Sequence, residues 1–163
     1  MFFWNSPRPQ KKFTIKECSR GKWAKFRKYH YLSDDLPSVA RCFGVYEENN
    51  IIAFMGVLHQ PHGVNKHIKR VCRLVVLPDY QGIGIATKFL EIIAKYYTNK
   101  GYDFSIVTSA KNLIYALQKN NNWTLIRYSS SSCSSSKLAI DYNRKTIRKN
   151  CKTASFFFKK NNK

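Results

Sequence analysis

The sequence predicts an α/β (α+β) fold in one domain, with about six to seven strands and about four helices. Three observations carry that reading. The apolar run Leu74-Val75-Val76-Leu77 is too short for a helix and rich in valine, so it reads as a buried strand. After Pro78-Asp79 a glycine-spaced turn, Gln81-Gly82-Ile83-Gly84-Ile85-Ala86, leads straight into a helix whose apolar positions Ala86, Phe89, Leu90, Ile93 and Tyr97 share one face. Gly101, after Lys100, closes that helix. At 163 residues, 44% hydrophobic and 15% aromatic, the chain suits one globular domain rather than two.

The remaining elements follow in order. Residues 1–12 hold two prolines and little periodicity and read as an irregular N-terminal arm. Phe13 to Glu17 alternates as a first strand. From Lys22 the spacing of Trp23, Phe26 and Tyr29/His30 is helical, and Ser33-Asp34-Asp35 caps a short second helix before Pro37. Cys42 to Tyr46 and Ile51 to Leu58 are strand-like runs on either side of the hairpin turn Glu47-Glu48-Asn49-Asn50. A polar loop, His59 to Lys69, leads to the central strand. Beyond the long helix come a strand, Asp103 to Ser109, a short helix, Lys111 to Lys119, and a strand, Trp123 to Tyr128. Residues 129–136, seven serines around Cys133, read as a flexible low-complexity loop. Lys137 to Lys152 is partly helical, and Thr153 to Phe158 is the last strand. The domain therefore spans 13–158, with a disordered basic tail at 159–163.

The formal net charge is +20, from 29 Lys+Arg against 9 Asp+Glu. Residues 8–28 carry nine basic and one acidic residue, and residues 137–163 have the same balance. An acidic polymer is the expected partner, and basic residues near Trp23, Phe26, Tyr29 and Phe156 to Phe158 suit nucleic acid. The candidate contacts are Lys22, Arg27, Lys28, Arg144, Lys145, Arg148 and Lys149. Five cysteines, odd in number and never in a C-x-x-C pair, read as free thiols of a reducing compartment. No stretch has the apolar length of a membrane span and no secretory signal is evident, so the chain reads as cytoplasmic.

The strand, glycine turn and helix together make an anion site. Residues without side-chain bulk let the N–H groups of the first helical turn point at a phosphate, and the helix dipole favours negative charge there. The pattern lacks the third glycine of a dinucleotide fingerprint and the Gly-Lys-Ser/Thr ending of a triphosphate loop. Val76-Leu77-Pro78-Asp79-Tyr80-Gln81-Gly82-Ile83-Gly84-Ile85-Ala86 instead resembles the coenzyme A motif of the GNAT acyltransferases, Gln/Arg-x-x-Gly-x-Gly/Ala after a hydrophobic strand. The resemblance extends in element order over residues 13–128 and implies a central mixed sheet flanked by helices. It implies acetyl-CoA or a related CoA thioester as cofactor. The pyrophosphate would lie on the turn's amides and the pantetheine arm along the splayed strand, with Val75, Val76, Leu77, Gln81, Gly82, Ile83, Gly84, Ile85, Ala86 and Thr87 as binding residues.

Three further stretches narrow the resemblance. Phe26 to Ser33 with its His30-Tyr31 pair, Ala40 to Gly44, and Thr153 to Phe156 look like the phage-associated, Mom-like DNA-modification branch of the superfamily. That branch converts adenine in duplex DNA to N6-carbamoylmethyladenine and so protects phage DNA from restriction. The resemblance therefore implies a phage or prophage protein acting in the host cytoplasm, with double-stranded DNA as partner. His30 and Tyr31 are the leading catalytic candidates, with Ser109 and Asp141 as further ones. Attack of adenine N6 on a thioester gives an acetyl amide, not a carbamoylmethyl group, so the simple acyl-transfer mechanism does not carry over whole. That chemistry admits a redox metal such as iron on His30, Tyr31 and a carboxylate, although no compact ligand motif is present. The oligomeric state stays open, with a homodimer among the options. Two other readings compete: a conventional N-acetyltransferase for a protein or small-molecule amine, and a catalytically silent nucleic-acid-binding scaffold, against which the intact Gln81 to Ala86 turn speaks.

Overall fold

In the computed structural model, residues 2–5, 12–29, 35–61, 65–130 and 152–159 are described. They build one mixed sheet of eight strands in the order β1-β2-β3-β4-β5-β6-β8-β7. The strands are β1 (Phe2–Asn5), β2 (Lys12–Glu17), β3 (Arg41–Glu47), β4 (Asn50–His59), β5 (Ile68–Val76), β6 (Asp103–Thr108), β7 (Trp123–Ser130) and β8 (Lys152–Phe158). The helices are α1 (Ile85–Thr98) and α2 (Lys111–Lys119). All neighbouring strands are antiparallel except β5 and β6, which run parallel because α1 forms the crossover between them.

Seven strands and both α-helices stand where the sequence pattern predicts them. The eighth, β1, lies inside the stretch read as an irregular arm; it exists through pairing with β2, Phe2 opposite Ile15 and Asn5 opposite Lys12. The helix expected from Lys22 is instead a pair of 3₁₀ turns, Arg20–Lys25 and Arg27–Tyr29. Trp23, Phe26 and Tyr29 are spaced by three, which is the period of a 3₁₀ helix. Asp35 to Pro37 is not helical. Ser33 and Asp34, the Ser-rich stretch from Ser131 onward and the segment read as partly helical, 137–151, lie outside the described residues, as does the tail at 160–163. The central strand starts at Ile68, six residues earlier than its apolar run suggests, because Lys69, Arg70 and Arg73 hide its alternation.

Two cores lie on the two faces of the sheet. On one face α1 buries Ile85, Phe89, Leu90, Ile93, Ala94 and Tyr97, and α2 buries Ile114 and Leu117, against Phe13, Val45, Met55, Val76, Phe104 and Phe156. Each such aliphatic or aromatic side chain contributes about 1.5–3 kcal/mol on burial. On the other face the 3₁₀ turns and Leu36 cover β3 to β5, packing Trp23 and Phe26 on Phe54 with Cys42, Tyr46 and Val75.

Candidate coenzyme site and its acceptor face

The site begins with a bulge. Gly56 of β4 pairs with Arg73, but Val57 pairs with Val71, so Cys72 is an extra residue in β5. A bulge bends and twists its strand. The parallel pairing of β5 with β6 stops at the same place: it runs from Ile68 and Asp103 to Val71 and Ile106. Past Cys72 the two strands diverge, while β6 stays paired on its other edge with β8, from Ser105 opposite Phe157 to Thr108 opposite Ala154. A V-shaped cleft opens between Cys72–Val76 and Val107–Thr108. Gly56 packs closely here: a Cβ on it would stand 3.0 Å from Cys72 Sγ and 3.1 Å from Leu36 Cδ1, so these side chains would have to give by a few tenths of an ångström.

At the mouth of the cleft β5 passes through Leu77 and a 3₁₀ turn, Pro78–Tyr80, into the glycine turn. Gly82 and Gly84 have φ of +80° and +85°, left-handed values that L side chains resist. Gly84 is the N-cap of α1, and the first helical bond runs from Lys88 N–H to its carbonyl at 3.1 Å. The N–H groups of Ile85, Ala86 and Thr87 are therefore left without an intrahelical acceptor. Two side chains fix the turn. Gln81 Nε2 donates to the Val76 carbonyl at 2.9 Å, and Thr87 Oγ1 donates to the Gly84 carbonyl at 2.8 Å. The Tyr80 hydroxyl is hydrogen-bonded to the Glu47 carboxylate, which ties the turn to the β3–β4 hairpin.

A pocket of about 500 Å³ lies against this turn. Its walls are Leu74 and Val76 of β5, Tyr80 to Gly82, Gly84 to Thr87, and Ala110, Asn112, Leu113 and Ala116 at the start of α2. Of the ten coenzyme-binding residues read from the sequence, Val76, Gln81, Gly82, Gly84, Ile85, Ala86 and Thr87 line it. Val75 and Leu77 instead turn to the second core, on the opposite face, and Ile83 is 39% exposed at the tip of the turn. Alternation along the strand makes this so: one face of β5 cannot present both Val75 and Val76. Leu74 and Tyr80 lay within reach of the motif; the α2 wall did not, because only packing of α2 on α1 brings it to the turn.

The other candidates divide. Ser109, half-buried, follows β6 and directly precedes Ala110 of the pocket wall. His30, Tyr31 and Asp141 lie outside the described residues, as do Arg144, Lys145, Arg148 and Lys149. Next to the first pair, Asp35 and Leu36 dock at the bulge: the Asp35 carbonyl accepts from Arg73 Nη2 at 2.6 Å, and Leu36 packs over Gly56. Lys22, Arg27 and Lys28 are exposed on the 3₁₀ turns. Among the described residues no group of three His, Cys, Asp or Glu side chains could hold a metal, so the iron reading gains no support. The three described thiols are unsuited to nucleophilic work: burial pushes Cys18 up to about 12 and Cys72 up to about 11, and raises Cys42. No helix of the described residues is long and apolar enough to cross a membrane.

A splayed strand pair with a backbone anion seat at its mouth is the framework of an acyl-coenzyme A transferase. The chain belongs to the acetyltransferase (GNAT) family, whose model matches residues 4–115. Among solved structures it is similar to the ribosomal-protein-S18-alanine N-acetyltransferase from Escherichia coli, at 13% identity and a TM-score of 0.64, with 90% of this chain and 92% of that one covered. A GNAT family acetyltransferase from Elizabethkingia anophelis with acetyl-CoA bound matches at 14% identity and 0.63, covering 89% and 95%. A spermidine N-acetyltransferase mutant from Vibrio cholerae matches at 10% identity and 0.64, covering 90% and 92%. No curated protein matches the chain.

Proposed function

We propose that this chain is a coenzyme A thioester-dependent transferase of the Mom type, modifying adenine in duplex DNA. The observation that carries the reading is the presence in one small chain of a glycine-turn pocket and a net charge of +20. A coenzyme's phosphates are satisfied by the backbone donors of the turn, so they leave the surplus charge without a use. A second, polymeric anion accounts for it. The resemblance of Phe26 to Ser33, Ala40 to Gly44 and Thr153 to Phe156 to the Mom-like branch supports the same choice.

In this reading the amides of Gly82 to Thr87 hold the pyrophosphate, and Leu74, Val76 and the α2 wall enclose the pantetheine arm. Bound coenzyme would supply a two-carbon unit as its thioester; to make a carbamoylmethyl group from it, an amine donor must displace the thiol as the amide nitrogen, and an oxidant must take up the two electrons released when the methyl carbon bonds adenine N6. The left-handed glycines and the small residues Ala86, Ala110 and Ala116 leave the room such a ligand needs. Adenine N6 lies within the base stack, so the base is extruded to reach the cleft. His30 and Tyr31 hold and deprotonate the acceptor amine, Ser109 orients coenzyme or base, and Asp141 supplies a carboxylate. Lys22, Arg27, Lys28 and the basic residues from Arg144 to Lys149 contact phosphates.

Mass spectrometry of nucleosides from plasmid DNA of cells expressing the protein tests this, beside a Tyr31→Phe control. The expected result is an adenine derivative with the carbamoylmethyl mass that the control lacks. Unmodified nucleosides from a folded protein that binds acetyl-CoA would overturn it. They would favour the second reading, an N-acetyltransferase for a protein or small-molecule amine, which takes its support from neighbours acting on an S18 alanine and on spermidine. A polycation such as spermidine is a poor fit, because a chain at +20 repels it.

A further inference from the structure

Past the bulge, strand register aligns a row of side chains that the coenzyme does not use. Val107 is the first β6 residue beyond the last β5–β6 pair. It pairs with Ser155 of β8, and Ser155 pairs with Arg127 of β7. Partnered residues of adjacent strands stand on the same face of a sheet. That face is the one away from α1, because the alternating residues Ile106, Ala154 and Phe156 are buried in the core beneath α1. The next row on the same face pairs Thr153 with Ser129, and the row on the other side runs from Ser105 through Phe157 to Thr124.

The result is a floor that starts with Val107 at the wall of the cleft and ends with Arg127 on the edge strand, with the hydroxyl side chains of Ser155, Thr153, Ser129 and Thr124 set around Phe157. Ser155, Thr153 and Ser129 are half-buried, Val107 is 38% exposed, and Arg127 and Thr124 are exposed. None of them joins the second core, whose Trp23, Phe26 and Leu36 cover β3 to β5. Stretches 104–130 and 152–159 contain no acidic residue. Arg127 is the cation that the register puts on this face, while Lys111 and Lys119 stand on α2 and Lys152, two residues before Ala154, falls on the α1 side.

We propose that this face seats the sugar-phosphate backbone of the DNA strand whose base enters the cleft, with Arg127 on a flanking phosphate. The inference rests on the DNA-modifying reading above. Hydroxyls and arginine are donors that phosphate oxygens take, and they set a strand's register without reading its sequence. From Val107 to Arg127 is two strand spacings, about 9.5 Å, so a long guanidinium side chain reaches phosphates next to a base lodged at Val107. A small anion would need only a single point of contact; Ser155, Thr153, Ser129 and Thr124, spread over three rows beside Arg127, suit a polymer.

The test is duplex binding by the full chain, measured by anisotropy of a labelled oligonucleotide across a salt series. Arg127→Glu is compared with Lys66→Glu, an equal change of charge in the β4–β5 connection, and with Arg127→Lys. Arg127→Glu is expected to weaken duplex binding at least tenfold. It should also lower the slope of log affinity against log salt by about one more than Lys66→Glu does. Modified adenine in plasmid DNA falls with it, Arg127→Lys restores most of the binding, and acetyl-CoA affinity and Tm stay unchanged. Equal losses for Arg127→Glu and Lys66→Glu would overturn this surface and leave the DNA reading intact. A wild-type chain that binds no duplex even at low salt would sink both.

Discussion

The side-chain amide of Gln81 donates to the carbonyl of Val76 at 2.9 Å, closing a loop between the end of β5 and the start of the glycine turn. One polar side chain thus sets the angle at which the anion seat faces the cleft. Replacing Gln81 with Ala removes this bond and leaves the glycines untouched. Acetyl-CoA affinity, measured by calorimetry, is expected to fall about five- to tenfold, corresponding to about 1 kcal/mol for one lost hydrogen bond. Duplex affinity should not change.

Gly82 and Gly84 differ from ordinary glycines only in their positive φ. A Cβ at Gly82 meets nothing within 4 Å, and one at Gly84 comes only within 3.9 Å of Thr87 Oγ1. The cost of Gly82→Ala is therefore conformational, about 1–2 kcal/mol, and Gly82→Asn should recover part of it because Asn tolerates the left-handed region better. Thermal denaturation of the two variants reads this order directly. At Gly84, substitution by Asp adds a carboxylate to the seat itself, and coenzyme binding should be lost while the fold persists.

Glu17 and Arg41 form a bidentate pair, Nε to Oε1 at 2.7 Å and Nη2 to Oε2 at 2.8 Å, between β2 and β3. The guanidinium holds the Glu17 carboxyl below its ordinary value. A depressed folded pKa stabilises the fold above the unfolded value, near 4.5. That stabilisation is lost as pH falls through the folded one. Both side chains are about half exposed, so the pair contributes about 1 kcal/mol at most. Glu17→Gln should lower Tm slightly at pH 7 and leave it unchanged near pH 2, where wild type has lost the same contribution; a Tm difference that persists at pH 2 would contradict this.

At pH 8 a thiol with a pKa near 12 is ionised in only about one molecule in ten thousand. Cys18 and Cys72 are held at about 12 and about 11, and Cys42 is raised too, all by burial in the second core or at its edge. Native protein treated with iodoacetamide at pH 8 should leave these three unlabelled, as peptide mass spectrometry would show, and label them after unfolding in guanidinium. Rapid native labelling of Cys42 would mean that the 3₁₀ turns over it open readily.

Much of this protein is written locally. The spacing of Phe89, Leu90, Ile93 and Tyr97 fixes α1, and Gly82 and Gly84 mark a turn that only residues without a Cβ adopt freely. Glu47 to Asn50 marks its hairpin just as plainly. These are properties of neighbouring residues, and one sequence contains them. The glycine turn was legible for that reason, and seven of the ten residues read around it line the pocket against it.

What lay beyond reach depends on partners distant in the chain. Phe2 to Asn5 shows no alternation that marks a strand, and becomes one only because β2 offers an edge. The polar residues Lys69 and Arg70 enter the central strand because β4 on one side and β6 on the other fix their backbone, and Arg73 enters it by pairing with Gly56 of β4. Val75 and Val76 look equivalent in the sequence, yet the pleat sends one to each core. The sequence by itself determined seven of the strands, both α-helices and the glycine turn, since hydrophobic period and glycine conformation act within a few residues. The tertiary structure decided where the cleft opens, at Cys72 opposite Gly56. It also set the α2 wall of the pocket and the row from Val107 to Arg127, because register and splay arise only when strands far apart in the chain share hydrogen bonds.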